Sequence, residues 1–114
     1  MEQLHLADFE GATLRRPGRV VVCFHASWCG FCRRFVPSFR ARDGTVPATL
    51  ALADISDEEN PLWDRLGIEV VPALFAFEEG KLAWRIDSPM GVGLDDRALA
   101  TMTQRLGRSP GQIK

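Results

Sequence analysis

Apolar residues recur along this chain in two rhythms, and the change between them marks its elements. Val20-Val21-Val22-Cys23-Phe24 is a continuous β-branched and aromatic run, the pattern of a strand buried on both faces. Directly after it, Phe35, Val36 and Phe39 return at helical spacing among Arg33, Arg34, Arg40 and Arg42. That predicts an amphipathic helix over about Cys29 to Arg42, kinked at Pro37. Ala48–Asp54 reads as a second buried strand and Ala73–Phe77 as a third. The turn Glu78-Glu79-Gly80-Lys81 leads into a strand over Leu82–Ile86. Asn60-Pro61 opens a short helix with Leu62, Trp63 and Leu66 as its apolar face, and Gly67 stops it. A last amphipathic helix covers Leu94–Leu106, with Leu99, Met102 and Leu106 inward. Near the start, Leu4-His5-Leu6 predicts a short strand and Asp8 to Arg15 a helix capped by Asp8. Arg16-Pro17-Gly18-Arg19 follows as a turn.

The predicted order is βαβαβαββα, an α/β chain. Its middle β-α-β unit requires a parallel pair, and the Gly80 hairpin adds antiparallel strands. A mixed central sheet with helices on both faces follows. Residues at the C-terminal end of strand Val20–His25 then sit at the edge where such sheets bind ligands. One domain over 1–107 is expected, with a loose polar tail over 108–114.

Composition narrows the setting. Hydrophobic residues make up 46% and charged residues 25% of the 114 positions, ordinary values for a globular domain. A net charge of −1 gives no reason to expect nucleic acid or an anionic membrane as partner. No apolar run approaches the ~18 residues of a membrane span, and Met1-Glu2-Gln3-Leu4-His5 lacks a signal-peptide pattern. A soluble cytoplasmic monomer without a bound cofactor is the expectation. An odd count of three cysteines fits a reducing compartment better than a disulfide scaffold.

Chemistry concentrates in Trp28-Cys29-Gly30-Phe31-Cys32, at the junction of strand and helix. There the first sulfur meets free backbone N–H groups and a helix dipole, which favour thiolate over thiol. Two cysteines three apart can trade between dithiol and disulfide. Cys29 and Cys32 are also half of a zinc site, and Cys23 with His25 nominally completes a Cys₃His set, but the second ligand pair of structural zinc sites is missing. Cys23 reads as a small apolar residue in a buried strand, with a third redox thiol as the sharper alternative. Asp57-Glu58-Glu59 reads as a solvated loop, and Asp95-Asp96 as charges at a helix start.

The chain resembles the thioredoxin family from about Leu4 to Leu106. The resemblance rests on Phe24-His25-Ala26-Ser27-Trp28-Cys29-Gly30-Phe31-Cys32, Asn60-Pro61, Gly67-Ile68, Val71-Pro72-Ala73-Leu74 and Phe77-Glu78-Glu79-Gly80. It implies the thioredoxin fold and a thiol–disulfide oxidoreductase that reduces protein disulfides. Cys29 is then the attacking sulfur and Cys32 the resolving one. Pro72 is implied to be cis, with Val71 offering its backbone to an extended substrate peptide. Trp28, Gly30 and Phe31 surround the site. The implied partners are protein disulfides and, as electron donor, a thiol or a flavin-dependent disulfide reductase.

Four positions depart from the family pattern. Cys23 stands where an acidic residue is usual, Leu52 where a lysine is usual, and His25 where an aromatic is usual. A protonated His25 near Cys29 would stabilise the thiolate. Phe31 replaces the proline common between the cysteines, which leaves one more backbone N–H and predicts a more oxidising disulfide. The alternatives are a protein disulfide oxidase or isomerase, and a redox-inactive module that holds a partner in the Trp28/Val71-Pro72 groove.

Overall fold

The computed structural model describes residues 1–107; the tail expected over 108–114 lies outside the described residues. Among the described residues seven strands are formed: β1 (Glu2–Leu4), β2 (Phe9–Glu10), β3 (Thr13–Leu14), β4 (Arg19–His25), β5 (Thr49–Asp54), β6 (Ala73–Glu78) and β7 (Lys81–Asp87). Three α-helices accompany them: α1 (Gly30–Arg40), α2 (Leu62–Arg65) and α3 (Asp96–Leu106), with a turn of 3-10 helix at Leu6–Asp8. The central sheet runs β1-β5-β4-β6-β7. β1, β5 and β4 are parallel, while β6 pairs antiparallel with β4 and β7 with β6. This is the predicted mixed sheet.

Alternation along the inner strands separates two core layers. Val21 and Cys23 of β4, Leu50 and Leu52 of β5, and Leu74 of β6 face α1 and α3, where Phe35, Phe39, Leu99 and Met102 meet them. Val20, Val22, Phe24, Phe75 and Phe77 face the other way, onto Leu62 and Leu66 around α2 and onto Phe9 and Leu14. Helices therefore cover both faces, the second only in part.

What completes that second face corrects the sequence reading. The helix expected over Asp8 to Arg15 is a β2–β3 hairpin, with Phe9 opposite Leu14 and Glu10 opposite Thr13. Gly11, at φ +60°, makes the two-residue turn in a conformation that costs other residues about 1–2 kcal/mol. The pairing buries Phe9 and Leu14 on one side, which a helix with Gly11 and Thr13 in its interior would do poorly. The order is thus β-β-β-β-α-β-α-β-β-α. The first strand also lies earlier than Leu4-His5-Leu6: it pairs Glu2–Leu4 with Ala51–Ala53, and Leu6 belongs to the 3-10 turn.

Helix ends follow local rules. Asp95 caps α3, accepting the Arg97 N–H at 2.9 Å. Asn60 Oδ1 accepts the Leu62 N–H at 2.9 Å before α2. Arg85 of β7 closes the other end of α2, donating to the Leu66 and Gly67 carbonyls while its guanidinium lies 4.2 Å from the Phe75 ring centroid. α2 is thereby tied across the sheet edge that carries the site.

Candidate active site

Antiparallel pairing of β4 with β6 places Phe24 opposite Ala73. The end of β4 and the start of β6 therefore share one sheet edge, and two segments far apart in sequence meet there. After His25 the chain leaves the sheet, and the Cys29 N–H donates to the Ala26 carbonyl at 3.2 Å. Cys29 itself caps α1: its backbone is extended, and its Sγ accepts the Cys32 N–H at 3.2 Å. The sulfur so receives one of the free donors of the helix N-terminus.

The loop before Cys29 is braced from β5. The Asp54 carboxylate accepts hydrogen bonds from the backbone and the hydroxyl of Ser56. Ser56 Oγ accepts the Ser27 N–H at 2.7 Å, and the Ser56 carbonyl accepts the Trp28 indole N–H at 2.8 Å. Burial pushes the Asp54 carboxyl up, but the hydrogen bonds from Ser56 outweigh it and hold its pKa below the usual range. Arg33 Nη1 returns from α1 to the Ser27 carbonyl at 3.0 Å.

Across from Cys29 the Val71–Pro72 peptide is cis. The Cys29 thiol donates to the Val71 carbonyl, with Sγ 3.4 Å from the oxygen. Ser88 Oγ donates to the Pro72 carbonyl at 2.5 Å and is buried. Ser88 did not stand out in the sequence, since its partner comes from a different strand. Cys29 is 7% exposed and Cys32 1%, so Cys29 is the more accessible of the pair. Both are thiols here.

Burial, with a hydrogen bond to Cys29 added, pushes the Cys32 thiol up to about 12. Its ionisation at neutral pH needs a proton acceptor. A cavity of about 360 Å³ beside it is lined by His25, Ala26, Arg33, Val36 and Pro37 as well as Cys32. His25 Nε2 is buried with no hydrogen-bond partner among the described residues. Burial lowers the His25 pKa, Asp54 on β5 opposes that, and Arg40 of α1 adds to it. The imidazole is therefore neutral at pH 7.

Cys23 lies fully buried between Leu52 and Leu74 in register, on the α1/α3 side of the sheet. Burial drives its pKa well above the ordinary thiol range. Cys29 and Cys32 pack instead with Ala26 and Val71. Among the described residues no three metal-ligating side chains come together, so Cys23, His25, Cys29 and Cys32 form no Cys₃His centre.

Phe31 packs against the layer that holds Cys29 and Cys32 and reaches the loop before α3. Its ring lies against Gly93 of the loop before α3, and Arg34 stacks 5.3 Å from its centroid. Trp28 is 52% exposed and stacks on Trp63, whose only signal in the sequence is its place on the apolar face of α2.

A dithiol whose first sulfur caps a helix and faces a cis-proline, at the edge of a mixed sheet, defines a thiol–disulfide oxidoreductase. Comparison with known proteins agrees. The Thioredoxin family model matches residues 1–102. Thioredoxin of Rhodospirillum rubrum is 32% identical over 84 residues, 73% of this chain and 81% of that protein. Protein disulfide-isomerase A3 of Gallus gallus is 35% identical over 91 residues, 76% of this chain but 17% of that much longer protein. Thioredoxin f2 of Chlamydomonas reinhardtii shares the fold with a TM-score of 0.74, at 19% identity, covering 96% of this chain and 99% of that one. The chain belongs to the thioredoxin family and is a protein-disulfide oxidoreductase of that type. No helix among the described residues is long and apolar enough to cross a membrane.

Proposed function

We propose that the protein reduces disulfides of other proteins by a two-step exchange at Cys29 and Cys32, working as a monomer in the cytoplasm. In the first step the Cys29 thiolate attacks one sulfur of the substrate disulfide. That bond breaks, a Cys29–substrate mixed disulfide forms, and the leaving sulfur takes a proton. In the second step the Cys32 thiol gives up its proton and its sulfur attacks Cys29 Sγ. The mixed disulfide breaks and the second substrate sulfur leaves as a thiol. The substrate gains two electrons and two protons, and Cys29–Cys32 becomes a disulfide. A thiol or a flavin-dependent disulfide reductase returns the two electrons.

The observation that carries this reading is the placement of Cys29 Sγ between the Cys32 N–H at 3.2 Å and the Val71 carbonyl at 3.4 Å, beside cis-Pro72. A substrate strand paired with the Val71 backbone presents its sulfur to Cys29. Trp28, Gly30 and Phe31 bound the approach. Neutral His25 serves in the second step as acceptor of the Cys32 proton, which the shared cavity supports. That differs from a cationic partner of Cys29, for which the downward shift of His25 leaves little charge at pH 7.

Titration against thiol/disulfide buffers, with free thiols trapped and counted by mass, tests the assignment. One two-electron step at Cys29–Cys32, near or modestly above the ~−270 mV of thioredoxin, supports it. In Cys32→Ser the mixed disulfide should accumulate on Cys29. If Cys29 and Cys32 never pair, the assignment fails. The identity with a protein disulfide-isomerase favours a second reading, oxidase or isomerase, which a step near ~−180 to −120 mV would select.

A further inference from the structure

Trp28 and Trp63 stack with ring centroids 6.3 Å apart and planes 9° from parallel. Both are pinned at their edges. Trp28 donates to the Ser56 carbonyl at 2.8 Å, and Trp63 to the Ile55 and Asp57 carbonyls at 3.0 and 3.2 Å. Rotation of either ring would forfeit these bonds, so the pair offers a rigid aromatic wall. The wall bounds a recess of about 340 Å³ whose other lining residues are Glu58 and Glu69.

Among the described residues no cation lines the recess. Among the described residues three other rings carry an arginine: Phe31 beneath Arg34, Phe75 beneath Arg85, and Trp84 beneath Arg105. Among the described residues none covers Trp28 or Trp63, and neither Glu58 nor Glu69 has an ion-pair partner. Two carboxylates at the mouth of a tryptophan stack suit a lysine or arginine side chain, by charge and by attraction to the indole face. An apolar side chain would leave the carboxylates without a partner.

Position connects the recess to the reaction. Trp28 precedes the nucleophile Cys29, and Glu69 lies two residues before Val71, whose carbonyl accepts the Cys29 thiol. A substrate strand laid along Val71 therefore runs past the recess. We propose that Trp28, Trp63, Glu58 and Glu69 form a subsite for a basic side chain flanking the disulfide of the protein substrate. The subsite makes basic segments the preferred substrates, and it rests on the Cys29–Cys32 reading above.

The test uses disulfide-cyclised peptides that differ only in the residues flanking one cysteine: Lys, Met or Glu. Met matches the length of Lys without its charge. Turnover of the Met peptide by the wild type reports on the cysteine pair, and the ratio of kcat/KM between Lys and Met peptides reports on the recess. That ratio should be roughly ten-fold at low salt, fall as salt is raised, and be largest against the Glu peptide. In Glu58→Gln/Glu69→Gln, and separately in Trp63→Leu, the ratio should collapse toward one; being internal to each variant, it is insensitive to partial loss of fold. Equal use of Lys and Met peptides by the wild type, preference for Met, or an unchanged ratio in the double variant would overturn the proposal.

Discussion

A Cβ built on Gly93 would lie 2.7 Å from the ring of Phe31, closer than side chains approach one another. Gly93 also has φ +78°, a conformation other residues adopt only at a cost. The second of the two residues between the cysteines, Phe31, is therefore fitted to the loop before α3 by the absence of one methyl group.

Gly93→Ala should lower stability by more than the about 1–2 kcal/mol of the backbone conformation alone, because the Phe31 ring must move as well. In a Phe31→Ala background the same change should cost only the backbone part. Urea unfolding of the four proteins gives the coupling between the positions, and a coupling indistinguishable from zero would contradict the contact.

Phe31→Pro should make the Cys29–Cys32 couple more reducing. The proline fixes φ for the first turn of α1 and removes a backbone N–H near the sulfurs, which favours the disulfide over the dithiol. Each ~30 mV corresponds to a tenfold change in the exchange constant, so equilibration with glutathione buffers resolves the direction. A potential equal to or above that of the wild type would show that the packing of Phe31 on Gly93 sets the poise instead.

His25 should make the fold sensitive to mild acid. Its pKa lies below the ordinary 6.5 because burial disfavours the imidazolium and Arg40 repels it, with Asp54 opposing. Below about pH 6.5 the unfolded chain binds a proton at this residue that the folded protein resists, so stability falls as pH falls through the folded pKa. Asp8 and Asp54, both held below 3.8, lose their contributions only at lower pH. Urea midpoints between pH 7.5 and 4.5, a window chosen around these values, should decline in the wild type and stay flatter in His25→Phe.

Ser88→Ala should destabilise by about 1–3 kcal/mol, since it leaves the buried Pro72 carbonyl without its donor. KM for peptide disulfides should rise as well, because that carbonyl adjoins the Val71 backbone. Ser88→Thr, which keeps the hydroxyl, should recover part of both in unfolding and steady-state measurements.

The parts of this protein legible in its sequence are those written in local order. The run Val20–Phe24 and the spacing of Phe35 and Phe39 announce β4 and α1, and both belong to the sheet and helix expected. The segment before them reads as a helix only on the strength of Asp8 as a cap; Phe9 and Leu14, five apart, share no helical face, and Gly11 at a turn is the contrary signal. Other contacts have no local signature. Ser88 finds Pro72, and Trp63 finds Trp28, only because β4, β6 and β7 bring one sheet edge together. Glu58 read as part of a solvated loop, and the stack behind it gives that charge its setting.

β1 is only three residues long, yet it covers the outer edge of β5. Its hold depends in part on Arg16, which reaches Glu2 at 2.6 Å and Asp8 at 2.9 Å. The opposite edge, β7, protects itself with Lys81, Arg85, Asp87 and an irregular register at Ala76/Phe77. Loss of the Arg16 contacts, as in Arg16→Ala, would release the first guard but not the second. The chain would then present Thr49–Asp54 as an open template for another molecule's strand, so that aggregation of such a variant begins at β5, on the side of the sheet away from β6 and cis-Pro72.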